Sequence, residues 1–238
     1  MEKVIYLLWR DAATEAETFA QRLRSELTAK LKDVGVRGAR LNLQDEAVKP
    51  AAGLRQLCMK PPFDAVLQLW IDSAVTHLRQ PIDAVVAAHA GSMAAYLVTE
   101  SQPLRNLKYP PRSGARTEGF AQMAVLRRPS RLDYVAWIDI WHNFHTRIAI
   151  ETQSTFEYVQ NVIVRPLTPD APAIDAIVEE CFPQAAMTDY KVYFEAPGDD
   201  EKFKRNLARM MDSVGRFIDP GTIDVLPTSQ YQLFRLWD

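Results

Sequence analysis

Hydrophobic positions in the first half of the chain switch between two spacings. Val4–Trp9 is a continuous apolar run rich in β-branched and aromatic residues, which predicts a buried strand. Phe19, Leu23, Leu27 and Leu31 then recur every fourth residue, the mark of an amphipathic helix. Asp11 or Thr14 is placed to cap it, and Glu15 and Glu17 complement its positive end. Gly35 and Gly38 stop the helix, and Val36–Leu43 predicts a second strand. Ala51–Met59 fits a short helix that ends before Pro61-Pro62. Phe63–Ile71 predicts a third strand, Ile82–Ala95 a helix of small residues, and Tyr96–Thr99 a last strand. The order β-α-β-β-α-β is that of the split ferredoxin-like unit.

The second half runs through the same order. Phe120–Leu126 predicts a strand, and Leu132–Ile150 a helix with Trp137, Trp141, His145 and Ile148 or Ala149 along one side. Tyr158–Val164 is a further strand, Ile174–Phe182 another apolar stretch, Glu201–Phe217 a helix and Thr222–Leu226 a strand. Short matches keep their order: Phe63-Asp64-Ala65-Val66 parallels Ile174-Asp175-Ala176-Ile177. Between the halves, Leu104–Gly119 carries Pro110-Pro111, Ser113-Gly114 and four basic side chains, the composition of a linker. The expected fold class is therefore α+β: two tandem ferredoxin-like units with antiparallel sheets, residues 1–105 and 119–238, joined through 106–118 and pairing as a dimeric-type α/β barrel.

Composition narrows the function. With 47% hydrophobic and 24% charged residues in 238, the chain has the make-up of an ordinary globular protein. A formal charge of −2 offers no reason to expect nucleic acid or an anionic membrane as partner. No apolar run approaches transmembrane length, and the opening run is too short for a signal segment, so the cytoplasm is the expected compartment. Two cysteines, Cys58 and Cys181, do not make a disulfide framework.

One repeated spacing carries candidate chemistry. Arg128 is followed nine residues on by Trp137, then by Trp141 and His145 at intervals of four; Arg10 is followed at the same intervals by Phe19, Leu23 and Leu27. If the halves are copies, one keeps aromatic and ionisable groups where the other keeps only packing. The second half also resembles a known family. Leu126-Arg127-Arg128-Pro129, Trp137, Trp141-x-x-x-His145, Tyr158-Val159-Gln160-Asn161, Phe217-Ile218-Asp219 and a terminal strand ending near Thr228 resemble the EthD-like family of ferredoxin-fold, dimeric α/β-barrel proteins over roughly Gly119–Trp237. Leu132 stands where the family has a hydroxyl helix cap, so Ser130 or Asp133 must take that place. The resemblance implies sheets paired face to face into a barrel, usually between two subunits. It also implies action on small hydrophobic or aromatic, polyketide-like molecules by proton transfer, dehydration or decarboxylation without a cofactor.

Within this frame His145 is the candidate acid/base, since imidazole exchanges a proton near neutral pH. Trp137 and Trp141 are candidate walls for a planar substrate. Tyr158 and Asn161 are candidate oxyanion donors, and Arg128 a candidate carboxylate holder, with Asp133 and Asp139 as alternative partners for Arg127 and Arg128. Each has a plainer reading as packing, backbone satisfaction or a solvated ion pair. His142 and His145 form H-x-x-H without a third ligand, so no metal is expected, and nothing singles out a haem ligand or another cofactor. No dinucleotide, phosphate-loop or nucleophile-elbow motif is present. Three readings stay open: a cofactor-independent lyase, isomerase or oxygenase-like enzyme; a non-catalytic binding or accessory protein for a small hydrophobic molecule; and a scaffold whose output is a homodimer of the tandem unit.

Overall fold

A computed structural model describes residues 1–235; residues 236–238, at the end of the expected second unit and including Trp237 of the EthD-like resemblance, lie outside the described residues. The strands are β1 (Glu2–Trp9), β2 (Gly38–Leu43), β3 (Ala65–Ile71), β4 (Ser92–Leu104), β5 (Ala115–Arg116), β6 (Phe120–Leu126), β7 (Glu157–Pro166), β8 (Ala176–Phe182) and β9 (Asp224–Arg235). Eight of them run in the order β2-β3-β1-β4-β7-β8-β6-β9, and β9 pairs back onto β2, closing an antiparallel barrel within one chain; β5 adds a short pairing to β9. Each half supplies four neighbouring strands with the same internal order. The two seams are β4 with β7 and β9 with β2.

Helices pack on the outside of the barrel. α1 spans residues 16–33, α2 is Thr76–Ala87, α3 spans residues 134–152 and α4 is Asp200–Phe217. The period-two alternation of each strand divides its side chains between helix layer and lumen. In β1, Val4, Tyr6 and Leu8 join Phe19, Leu23 and Leu27 of α1 in one core, while Ile5 and Leu7 point inward to meet Val66, Tyr96, Met123 and Ile177. Both α1 and α3 widen into a π-helical turn at the same place, Leu23–Leu27 and Ile140–His145.

The strand-end turns also match. Arg10 N–H donates to Asp64 (3.0 Å) and its guanidinium to the Thr14 carbonyl (2.6 Å). Arg128 N–H donates to Asp175 (2.7 Å) and its guanidinium to the Leu132 carbonyl. These two aspartates thus anchor equivalent strand-to-helix turns.

Several boundaries differ from those expected. α1 starts with Glu15 at its cap and no side-chain capping bond, so neither Asp11 nor Thr14 serves. Asp133 caps α3, accepting from Ala136 N–H at 2.8 Å, which decides between the two caps proposed for that helix. Residues 46–54 form a 3-10 helix in place of the short helix expected at Ala51–Met59. α2 begins at Thr76 rather than Ile82, because its buried stripe is only Arg79, Ile82 and Val86, too sparse to register as periodic. β4 and β9 extend well beyond Thr99 and Thr228, since each finds a partner in the other half.

The lumen holds a polar cluster that no periodicity announced. Arg40 donates to Glu179 (2.9 Å) and reaches Glu157 (3.4 Å), while Gln230, Asn42 and Gln68 donate amide hydrogens to Glu179 (2.8, 2.7 and 3.0 Å). Burial by itself pushes the Glu179 carboxyl up, but Arg40 and these amides outweigh it and hold it down at about 2. Removing one member of such a group strands the others without water.

Candidate active site

A partly enclosed cavity of about 410 Å³ lies on the outer face of the second-half sheet, beneath α3 and α4. Its floor is the outward-facing residues of β6, β7, β8 and β9, among them Gln122, Ala124, Tyr158, Val178, Glu180 and Val225. α3 contributes Trp141 and His145, and α4 contributes Met210 and Phe217. The first half completes the wall. Residues Gly53–Gln56 line the cavity, held by a two-way backbone bridge between Gln56 and Val225 (3.0 and 2.7 Å) and by Tyr190 Oη donating to the Gly53 carbonyl (3.4 Å). The lining is mostly apolar with a few convergent polar groups, and the volume falls in the range of small-molecule sites, ~300–1,000 Å³.

His145 stands in the widened turn of α3 and is 6% exposed. Its Nδ1 lies 2.9 Å from Ser213 Oγ, its ring packs on Phe217 with centroids 4.5 Å apart, and Nε2 makes no hydrogen bond. Burial lowers its pKa to about 4, so the ring is neutral at pH 7. A neutral imidazole can donate or accept one hydrogen bond to a ligand, but it is a weak proton carrier at that pH.

Trp141 lines the cavity, and its Nε1 donates to Tyr158 Oη at 3.2 Å, which leaves the phenol proton for another acceptor. Trp137 lies one layer back. It is fully buried, packs on Trp141 (5.3 Å, 44°) and donates Nε1 to the Phe217 carbonyl (3.1 Å), so it buttresses the wall without forming it.

Two candidate residues are not brought into the site. Asn161 is three positions from Tyr158 on β7, and an odd separation on a strand places the two side chains on opposite faces. It points into the barrel, with Nδ2 donating to the Ile177 carbonyl at 3.0 Å. Arg128 is consumed by its strand-to-helix turn and does not line the cavity. Arg127 pairs with neither Asp133 nor Asp139. It binds Asp224 (2.9 Å), whose carboxylate also accepts from the backbone N–H of Cys58 and Met59 (both 2.8 Å).

Glu180 went unnoticed within the apolar stretch of β8. It is 7% exposed and lies between Tyr158 and Gln122, its direct partners on the two neighbouring strands. Oε1 has no hydrogen-bond partner, and Oε2 has only a long contact of 3.5 Å from Gln122 Nε2. Tyr193 Oη donates to Gln122 Oε1 (3.0 Å), which turns the amide hydrogens toward Glu180. Burial raises the pKa of this carboxyl to about 8, only slightly offset by Gln122. Among the described residues no group of three or more His, Cys, Asp or Glu is arranged to hold a metal ion, and no helix is long and apolar enough to cross a membrane.

The closed eight-stranded barrel with external helices defines an α+β protein of the dimeric α+β-barrel fold. A solved anthrone oxidase-like protein shares the fold over 99% of this chain and 94% of its own, with a TM-score of 0.57 and 10% identity. Weaker likenesses are a chlorite dismutase of Candidatus Nitrospira defluvii (TM-score 0.44, 13% identity, 98% of this chain and 91% of that one) and a proposed monooxygenase from Lactobacillus acidophilus (0.45, 7%, 98% and 96%). No family model matches the sequence, and no curated protein matches it.

Proposed function

We propose that this chain is an EthD-like enzyme built from two ferredoxin-like copies, in which the second copy acts on a small hydrophobic, aromatic molecule without a bound cofactor. The duplication rests on the shared strand order, the paired π-turns and the matching Arg-Asp anchors. The activity rests on one observation: the aromatic-walled cavity under Trp141, Tyr158 and His145. At the corresponding helix positions of the first copy, Leu23 and Leu27 are fully buried in a continuous core. A helix–sheet interface of this type closes with leucine alone, so the tryptophan, histidine and open volume of the second copy answer to a ligand.

Trp141 and Phe217 would sandwich a flat ring, while neutral His145 and Tyr158 fix its orientation by hydrogen bonds. The water-poor wall strengthens those bonds at the moment charge develops. An oxidase or monooxygenase acting on a hydroxylated polycycle fits this site, as does an isomerase or lyase on the same class.

A panel of two- and three-ring hydroxylated aromatics, read by thermal shift and by absorbance of the products, tests the proposal. The wild type is expected to be stabilised by, and to convert, members of the panel; Ala124→Phe, which fills the floor, is expected to lose both. Stabilisation without conversion would make the chain a binding or accessory protein. No stabilisation by any member would refute a ligand site.

A further inference from the structure

We propose that Glu180 is the proton-transfer group of this cavity, and that its substrate carries a carbon acid next to a carbonyl, in the manner of an aromatic ketone and its phenolic or enolic tautomer. This deepens the reading of the cavity as a substrate site and rests on it.

The two halves share one strand register. In the first half Ala65 pairs with Leu8, and four residues on, Leu69 sits between Val4 of β1 and Ala39 of β2. In the second half Ala176 pairs with Leu126, and four residues on, Glu180 sits between Gln122 of β6 and Tyr158 of β7. The same cross-strand row is therefore Ala39-Leu69-Val4 in one half and Tyr158-Glu180-Gln122 in the other. The apolar row is wholly buried beneath α1; the polar row is the floor of the cavity beneath α3. Packing does not call for a carboxyl here, since leucine closes the equivalent place.

Nor is Glu180 explained as an internal tie. A structural buried carboxylate is ion-paired or accepts several strong hydrogen bonds, as Glu179 does one position earlier on the opposite face. Glu180 has one oxygen unpartnered and the other in a single long contact, and the one basic side chain along the cavity among the described residues, Arg55, is exposed and bonded to Gln44 (2.6 Å). A carboxyl in such a place is held close to neutrality, ready to release and recover a proton near pH 8. His145, neutral and oriented by Ser213, is not its ion partner.

The step balances without an oxidant. Ionised Glu180 takes the proton from the carbon beside the carbonyl. The C–H electron pair becomes the carbon–carbon double bond of an enolate, and the carbonyl π pair moves to oxygen, where the Tyr158 hydroxyl donates a hydrogen bond. Return of the proton from Glu180 to carbon regenerates the ketone; delivery to oxygen gives the enol. Gln122, turned by Tyr193, is a positioning residue for the carboxyl.

The probe is 2-tetralone, a two-ring ketone with an acidic benzylic position. Binding is read from tryptophan fluorescence, and solvent deuterium uptake at that carbon by NMR, for wild type, Glu180→Gln and Tyr158→Phe. The wild type is expected to bind the ketone and to speed exchange above buffer, with a rate that rises through an apparent pKa near 8. Glu180→Gln keeps binding within about threefold and loses at least 100-fold in exchange, the low end of a general acid–base contribution being about 10². Tyr158→Phe keeps the pH profile and lowers its plateau. Equal exchange in wild type and Glu180→Gln, or a wild-type profile that titrates in the ordinary carboxylate range, overturns the role of Glu180 and leaves the cavity as a site. Binding without exchange in the wild type overturns the proton-transfer chemistry. Failure of wild type to bind 2-tetralone and every member of the aromatic panel overturns the site itself.

Discussion

Replacing Glu180 with glutamine should remove a pH dependence from stability that the wild type carries. The perturbed carboxyl has a folded pKa of about 8, against an ordinary value of 4.5. Between those values the folded state holds a proton that the unfolded state has released, so folding is favoured at low pH and the advantage disappears as pH rises through 8. At pH 7 about nine-tenths of the folded molecules keep this proton, from the distance of one unit to the pKa. Integrating from pH 5 to pH 9 gives a loss of roughly 4 kcal/mol, at 1.36 kcal/mol per unit of displacement. Glutamine has the shape of the neutral acid and does not titrate.

Urea unfolding of both proteins at pH 5, 7 and 9 measures the difference directly. The two should be close in stability at pH 5, and wild type should fall below the glutamine variant by about 2–4 kcal/mol as pH rises to 9. A difference between the two proteins that stays constant to within about 0.5 kcal/mol from pH 5 to pH 9 would show that Glu180 titrates alike in both states, and a buried, unpaired carboxyl would be ruled out.

Three further outcomes follow from the same structure. His145, whose pKa is lowered by burial from 6.5 to about 4, has the opposite sign: stability is lost as pH falls from 6.5 to 4, by about 3 kcal/mol, and His145→Gln should flatten that acid limb in the same urea series. Arg40→Met leaves Glu157 and Glu179 without their cation and should cost about 3–5 kcal/mol, with much of it recovered in Arg40→Met/Glu179→Met, as a double-mutant cycle would show. Gly119→Ala should be severely destabilising, because the glycine has a φ of 83° and an added Cβ would stand 2.0 Å from the Phe182 carbonyl oxygen; a melting temperature within a few degrees of wild type would contradict this packing.

The local order of strands and helices was legible because each element announces itself within its own residues. Phe120–Leu126 runs between the bounds its apolar composition sets, and the four-residue stripe through Trp137, Trp141 and His145 is the buried face of α3. The nine-four-four spacing also found its physical counterpart in the two strand-end arginines, which serve the same turn in both halves. Arg128 is held in that turn by the Leu132 carbonyl and does not line the cavity, a placement that its spacing in the sequence did not reveal.

Beyond its own neighbours a strand says nothing of its pairing. β9 outruns its expected end because β2, nearly two hundred residues away in sequence, supplies it with a second edge. Glu179-Glu180 in β8 shows the same division at the scale of two residues. Alternation along a strand sends consecutive side chains to opposite faces, and that much the sequence determines. Only closure of the barrel decided that one of those faces meets Arg40 and becomes an ion pair, while the other meets an open cavity and stays unpaired. Two identical side chains acquired different chemistry because charge is governed by the groups and water within a few ångströms, and those are set by contacts between distant parts of the chain.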